Sequence, residues 1–438
     1  MVPLDTMVNV AFPHIAAAFG IAVPAIQWVV ICYVLVHASL MLVCGRLGDL
    51  FGYRRVFLIG CAWSAVAFVL CATAQTYAWL LAARGMQGVG AALVLSVGPA
   101  LATGAFTEAQ RARVLGLYTM MFAIGSAAGP VLAGVLIAAY GWRAVYAIRI
   151  PVALLAFALA WLLPRGEVIA RRAGFDVIGG ILLFAAMASG LLALDQLQIG
   201  GGPVALLAYS AMAVAAAMAF VRQQRRAASP LIALRHFRDA RLVRALVAAT
   251  GLNFAGFSIL LLGPFLLTRV AALSPIQSGL LLAASPFGMM IIAPLSVRIA
   301  ARMGMSGLTR LGLAVTAAGL AMLGFGSAAV PVMAVGMFIQ GIGQGLFQVA
   351  NFDIVTGALP PRDRGVAGSL AMLTRTFGLV LGATLLMLLM QNLAGMAAAP
   401  GTSDAAAMVV GIQGTYRVAA LVPLVLLLFG WWAERRTQ

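Results

Sequence analysis

The sequence predicts an all-α polytopic membrane protein of fourteen transmembrane helices, arranged as two six-helix bundles plus two inserted helices. Three observations predict it. Apolar stretches of about 20 residues recur from end to end, long enough to cross a bilayer as helices. The arginines fall on alternate connectors, and the chain repeats itself at an offset of 253 residues.

The spans are expected at 2–22, 26–44, 56–75, 77–104, 114–138, 142–163, 176–195, 203–221, 243–267, 276–297, 309–328, 330–357, 366–391 and 411–433. A mean hydropathy of +1.06, with 63% of residues apolar and 9% charged, leaves no stretch that reads as a soluble domain. The opening MVPLDTMVNV lacks the basic start and small-residue site of a signal peptide, so no cleaved segment is expected. Asp5 lies only four residues from Met1, so the first helix is expected to be short or to start upstream.

Every basic residue other than histidine is arginine. With the first residue cytoplasmic, 22 of the 28 arginines fall in cytoplasmic loops or at the C-terminus, which places both termini inside. The net charge of +17 therefore reads as a topology signal rather than a nucleic-acid surface. The segment VRQQRRAASPLIALRHFRDARLVR (221–244) reads as an anchor on anionic lipid.

Several chemistries are excluded. A Walker A loop ends in GK[ST], and the chain has no lysine. There is no HExxH and no GxSxG placed as a strand-to-helix elbow, so an enzyme is not expected. Cys32, Cys44, Cys61 and Cys71 form no CxxC pair and read as small apolar fillers. His14, His37 and His236 have no ligand-like spacing, and no metal or other cofactor is expected. Work done by such a chain must draw on a transmembrane gradient or a partner.

The repeat places QGVGAAL (87–93) on QGIGQGL (340–346), Arg111 on Arg364, and Gly125 and Gly129 on Gly378 and Gly382. Shared Gln, Arg and paired Gly at one offset mean that spans four and five recur as twelve and thirteen. The domains follow: a six-helix bundle over 1–163, a two-helix linker with a basic cytoplasmic loop over 164–240, and a second six-helix bundle over 241–438. The four-residue spacing of Gly125, Gly129 and Ala133, and of Gly378 and Gly382, makes narrow faces on which another helix can pack closely.

An acid within a span is costly unless paired, hydrated or protonated, which makes Asp5 the leading functional candidate. Arg84 is its expected counterpart, and Gln87 shares that face one turn on. A carboxylate whose hydration or partner changes between two states can load and release a proton. Gln340, Gln344, Gln348 and Asn351 form an amide stripe on span twelve, which Asn253 of span nine is expected to join. Trp28, Tyr33, Phe122 and Phe347 offer aromatic surface to a planar ligand. Asp195 and Asp353 lie near span ends, where either interfacial solvation or a second titrating site would account for them.

These residues form a set that resembles a known family. GRLGDLFGYRR (45–55), between spans two and three, resembles the G-x-L-x-D-R-x-G-R-R signature of the major facilitator superfamily. AARGMQGVGAAL (82–93) is similar to its R-x-x-Q-G-x-G-A-A antiporter motif, and GSAAGPVLAGVL (125–136), with Pro130, to G-x-x-x-G-P-x-x-G-G. LDTMVNVAFPHI (4–15), IQWVVICYVL (26–35) and WRAVYAIRIPV (142–152) extend the likeness to the fourteen-span drug:proton antiporter branch.

The resemblance implies a major facilitator fold in which Asp5 and Arg84 couple protons. Gln87, Asn253, Gln340, Gln344, Gln348 and Asn351 would line a substrate cavity. Gly45, Asp49, Gly52, Arg54 and Arg55 would form a gating loop whose acid bonds a neighbouring helix end in one conformation. Gly125, Gly129, Pro130, Gly378 and Gly382 would serve helix packing. The sequence departs from the pattern at Leu50 and Tyr53, where the family carries basic residues, and at Arg149, which stands in place of an Asn. SVRIAARMGMSG (296–307) has no acid matching Asp49, so the loop is one-sided.

The function expected is proton-coupled export of lipophilic drugs or small molecules across a bacterial inner membrane by alternating access. A dedicated exporter of one natural product or metabolite is the alternative, and a non-transporting sensor or scaffold a second. The partners expected are a lipophilic substrate, protons and the bilayer, without nucleic acid. The chain is expected to act as a monomer, open to a periplasmic adaptor.

Overall fold

The computed structural model describes residues 2–21, 26, 28–104, 106–163, 176–198, 202–227, 230–231, 234–267, 273, 275–326, 329–360, 364–397 and 404–435. Their regular structure is helical throughout. It runs α1 (Thr6–Phe19), α2 (Trp28–Phe51), α3 (Tyr53–Ala72), α4 (Tyr77–Gly104), α5 (Glu108–Tyr140), α6 (Ala144–Ala147), α7 (Arg149–Leu162), α8 (Val177–Gln198) and α9 (Pro203–Arg226). It continues with α10 (Ala240–Phe265), α11 (Pro275–Leu282), α12 (Ala284–Phe325), α13 (Val330–Ala358), α14 (Arg364–Ala397) and α15 (Asp404–Arg435). A short 3-10 turn, Val2–Asp5, leads into α1, and another covers Leu234–Arg238.

Twelve helical segments among the described residues are long and apolar enough to cross a membrane. The difference from fourteen has two local sources. Helix α1 with its leading turn is a short piece, and the tenth and eleventh expected spans run together as one segment, Gln277–Phe325. That segment bends at Gly304 (φ 73°, ψ 171°), a backbone setting open to glycine and strained for side chains with a Cβ. Proline shifts other boundaries, because it lacks an N–H and its ring crowds the carbonyl four residues earlier. Pro151 falls four residues after the end of α6, and Pro286 four after the end of α11, so each interruption sits where the helical bond would be missing.

The chain forms two compact units. The first comprises residues 1–105, 128–239 and 355–373, and the second 106–127, 240–354 and 374–438. In the first, α2 and α3 pack on α4, α3 on α7, and the α8–α9 hairpin through α8 onto α2. One apolar cluster in it joins Met7, Ala11 and Ile15 of α1 to Leu80 and Ala83 of α4 and to Trp142 and Tyr146. In the second, α15 packs on α12 and α10, around Leu262, Leu320, Met337, Leu386 and Tyr416. Apolar side chains also point outward, as with Val204, Leu207 and Met218 of α9, each more than half exposed. In water such a face would be a liability; facing lipid it is the expected surface of a membrane helix.

Candidate functional site

The first unit holds a buried charge cluster centred on Asp5. The residue stands at the N-terminus of α1, yet its carboxylate caps no backbone amide. Arg84 Nη1 donates to Asp5 Oδ1 at 2.9 Å and Nη2 to Oδ2 at 3.2 Å, the two-pronged geometry that a guanidinium offers a carboxylate. Gln87 Nε2 donates to the same Oδ1 at 3.1 Å, while its own Oε1 accepts from Arg84 Nη1 at 2.6 Å. The three residues expected from the sequence to act together are therefore in direct contact. Arg84 Nε also donates to the Val29 carbonyl at 2.7 Å, and the guanidinium lies 4.6 Å from the Tyr33 ring centroid, which in turn stacks on His37.

A second cation joins them. Arg149 Nη1 donates to Asp5 Oδ1 at 2.8 Å, and its guanidinium sits 4.4 Å from the Phe68 ring. Both arginine side chains are fully buried, and the Asp5 side chain is 20% exposed. Arg149 Nε and Nη2 and the Tyr146 hydroxyl are buried without a hydrogen-bond partner. One carboxylate thus faces two guanidiniums. Sequence reading noted Arg149 as a departure without a role; 144 residues separate it from Asp5, and only the packing of α7 on α3 brings it in.

The segment 45–55, expected as a loop, is instead two helix ends meeting at one residue. Helix α2 runs through Phe51, α3 starts at Tyr53, and Gly52 (φ 92°) makes the turn. Asp49 is buried; its Oδ1 accepts from the Tyr53 hydroxyl at 2.9 Å and its Oδ2 from the backbone amide of Val366 at 3.4 Å, in the first turn of α14. An acid at a helix N-terminus meets unpaired N–H groups and the positive end of the helix dipole. Tyr53, which replaces a basic residue, thus supplies a hydroxyl donor to the acid. Arg54 reaches the other kind of helix end, donating to the carbonyls of Ala160 (3.1 Å) and Trp161 at the close of α7, whereas Arg55 is exposed and Gly45 is buried within α2.

The second unit carries an uncharged counterpart. Ser285 Oγ donates to Gln340 Oε1 (2.6 Å), Gln340 Nε2 to Gln344 Oε1 (2.7 Å) and Gln344 Nε2 to Asn253 Oδ1 (3.4 Å). Asn253 Nδ2 ends the relay on the Ala249 carbonyl at 2.7 Å. Gln340 is the repeat mate of Gln87, so each unit has a glutamine at the same place in its polar cluster. Gln348 is buried outside the relay. Asn351 lies apart from it, with Oδ1 buried and unpaired. Phe347, expected to offer ligand surface, is core, packed among Ala248, Leu252 and Leu313. Phe122 is covered by the Arg375 guanidinium at 4.0 Å. Asp353 pairs with Arg111 at 3.4 Å, while the side chain of Asp195 falls outside the described residues.

The glycine faces pack as pairs. A Cβ on Gly129 would collide with Thr6 of α1; one on Gly378 would collide with the Thr250 carbonyl of α10, and one on Gly382 would press the Phe254 carbonyl at 3.1 Å. Helices α5 and α1 thus approach as α14 and α10 do, with Gly129 and Gly382 related by the same offset. Gly125 is half-buried on α5; the side chain of Pro130, next to Gly129, lies outside the described residues.

Missed by the sequence reading as well is Asp176, which caps α8 through the Gly179 amide (2.8 Å). It also binds Gln223 and Gln224 of α9 (2.9 and 2.7 Å). Its position just before an apolar run was a readable cap signal.

The family model described as Major Facilitator Superfamily matches residues 4–383. The chain is 31% identical over 386 residues to "Multidrug resistance protein Stp" of Mycobacterium tuberculosis (strain CDC 1551 / Oshkosh), covering 87% of this chain and 72% of that one. It is 31% identical over 403 residues to the "Tetracenomycin C resistance and export protein" of Streptomyces glaucescens, covering 90% and 74%. Among solved structures, the human organic anion transporter MFSD10 (TETRAN) superposes with a TM-score of 0.66 at 17% identity, covering 97% of this chain and 89% of that one. At that identity the likeness concerns the fold.

Proposed function

The chain belongs to the major facilitator superfamily, a family of transporters and not of enzymes, and from that premise we propose that it exports lipophilic small molecules in exchange for protons by alternating access. The observation that carries the coupling is the Asp5 cluster. It is a partly exposed carboxylate held by two buried guanidiniums and a glutamine, in a protein with few other acids inside its spans. A proton or a cargo group that competes for those arginines changes the charge state of the cluster, which is the property an exchanger requires.

On this reading the chain crosses the membrane fourteen times. Val2–Phe19 is the first, and the two arms of Gln277–Phe325 on either side of Gly304 are separate. It retains two six-helix bundles with α8 and α9 inserted, and both termini in the cytoplasm of a bacterial inner membrane. The Asp49 contact with α14 is read as one state of a cytoplasmic gate. Export is the direction named for the tetracenomycin relative, and drug resistance the role named for the mycobacterial one. A dedicated exporter of one natural product is the second reading, favoured by the single compound in the Streptomyces name.

Purified protein in liposomes, given a pH gradient and a panel of fluorescent lipophilic dyes, tests the proposal. Gradient-driven dye movement in wild type, lost in a folded Asp5→Asn/Arg149→Asn protein, is the expected result. Dye movement indifferent to the gradient overturns proton coupling; no movement of any dye by folded protein moves the reading to the single-cargo exporter.

A further inference from the structure

Arg375 of α14 is a cation within the membrane that the transport reading leaves without a task. It stands eleven residues into α14, about 16 Å along the axis, and so lies inside the roughly 30 Å apolar slab rather than at its rim. Among the described residues its guanidinium has neither an ion pair nor a hydrogen bond; it lies 4.0 Å from the ring centroid of Phe122 on α5. Asp353, the acid of the second unit whose side chain is described, pairs with Arg111 instead. Tyr118, one turn before Phe122 on the same face of α5, is the titratable neighbour whose field reaches Arg375. Its ring meets Phe352 of α13 edge-on at 6.0 Å, and among the described residues its hydroxyl has no hydrogen bond. Arg375, Tyr118 and Phe122 are all half-buried, so a ligand can reach them.

A guanidinium in an apolar slab is costly unless it is paired, hydrated or part of a pathway. A ring face offsets part of the charge but takes up few of the five N–H donors, and those donors form the planar fork that matches a carboxylate or sulfonate. The internal repeat points the same way. Phe122 and Arg375 are 253 residues apart, the offset of the duplication, so they are equivalent positions of the duplicated helices α5 and α14. Positions exchanged by a two-fold rotation can touch only beside its axis, and transporters built of paired repeats carry their substrate sites where the repeats meet, near mid-membrane. Both residues belong to the second compact unit.

We propose that Arg375 binds an anionic group, a carboxylate or sulfonate, on a flat aromatic cargo, with the Tyr118 hydroxyl donating a second hydrogen bond and Phe122 steadying the guanidinium. The rings of such a cargo suit the aromatic faces of Tyr118 and Phe122. A lipid headgroup stays at the rim of the slab, and a small inorganic ion has no use for the rings. The preferred cargo is then a lipophilic compound that carries an acid, rather than any apolar compound. The inference rests on the export reading only in calling the ligand a cargo; binding itself requires no gradient.

The test dialyses the full chain in detergent to equilibrium, at one pH on both sides, against pyrenecarboxylate or its neutral carboxamide, with protein-free micelles as the blank. Wild type is expected to hold the carboxylate at least about tenfold more tightly than the carboxamide, as one charge-assisted hydrogen bond or more would give. Arg375→Gln should bring the two probes together, whereas Arg222→Gln, which removes an exposed arginine of α9, should behave as wild type. Equal binding of the two probes by wild type, or an undiminished preference in Arg375→Gln, overturns the site. Displacement of the carboxylate by an equal concentration of chloride overturns the cargo assignment in favour of a small-anion site. Should Arg375→Gln fail to fold, photocrosslinking of wild type with a diazirine-bearing aryl carboxylate decides. Label on residues 118–122 or 371–379 supports the proposal, and label confined to other segments refutes it. Because no gradient is applied, failure here leaves proton-coupled export standing, and failure of the liposome experiment leaves this site standing.

Discussion

Removing either partner of a buried ion pair is ordinarily expected to cost about the same, but the Asp5 cluster predicts a strong asymmetry. Asp5→Asn takes the sole carboxylate away from Arg84 and Arg149, both fully buried and both within 3 Å of it. Two guanidiniums then face one another uncompensated. A unit-charge contact at about 4 Å is worth about 4 kcal/mol at an effective dielectric of about 20, in line with the roughly 3–5 kcal/mol seen when one partner of a buried pair is deleted. Arg149→Asn leaves Asp5 paired with Arg84 through two hydrogen bonds and removes two buried nitrogens that have no partner. Against this stands the lost contact with Phe68, so the net change should stay within about 1 kcal/mol. The double variant returns the net charge of the cluster to its wild-type value and should recover much of the Asp5→Asn loss. Thermal unfolding of the purified protein, read by tryptophan fluorescence across the four proteins, measures all three terms. An Arg149→Asn protein as unstable as Asp5→Asn, or a double variant worse than both, would refute the reasoning.

Three further outcomes follow from contacts described above. Asp49→Asn weakens the cap on the first turn of α14, a loss of about 1 kcal/mol; insertion and expression should be unchanged while liposome transport falls, and unchanged transport would reduce the turn to a topology element. Gly378→Val drives a side chain into the Thr250 carbonyl and should cost about 1–3 kcal/mol by thermal unfolding, whereas Gly395→Val, at a position with open space around it, should cost less. Gln340→Leu strands the Ser285 and Gln344 partners, at about 1–3 kcal/mol for a buried unsatisfied group, while Asn351→Leu leaves the relay intact. Equal destabilisation by the two leucines would mean that the relay carries no special weight.

How much of this was legible beforehand depended on whether the signal was local. The pairing of Gln87 with Arg84 needed only helical spacing, and the fit to Asp5 needed only the cost of an isolated acid in lipid. The amide stripe was half legible. Gln340, Gln344 and Asn351 share an angular face of α13, but eleven residues of helix separate the first from the last, about 16 Å along the axis. Angle is a property of the sequence, whereas the neighbour met at each depth is not. Gln340 and Gln344 meet Ser285 and Asn253, whereas Asn351 lies among the residues that line a separate cavity with Arg241, Arg244 and Arg310. Helix breaks at Gly304 and near Pro151 and Pro286 follow from residue chemistry, yet that the expected tenth and eleventh spans would run on through a single bend was not readable.

By itself the sequence determined the helical class, the apolar segments, the arginine asymmetry and the repeat, because each follows from solvation and from the 3.6-residue period within one stretch of chain. Only the tertiary structure decided that Arg149 shares Asp5 with Arg84, that Asp49 caps α14, and that Gln344 of α13 meets Asn253 of α10. The partners in these contacts are far apart in the chain, and what brings them together is close helix packing, which no local preference encodes.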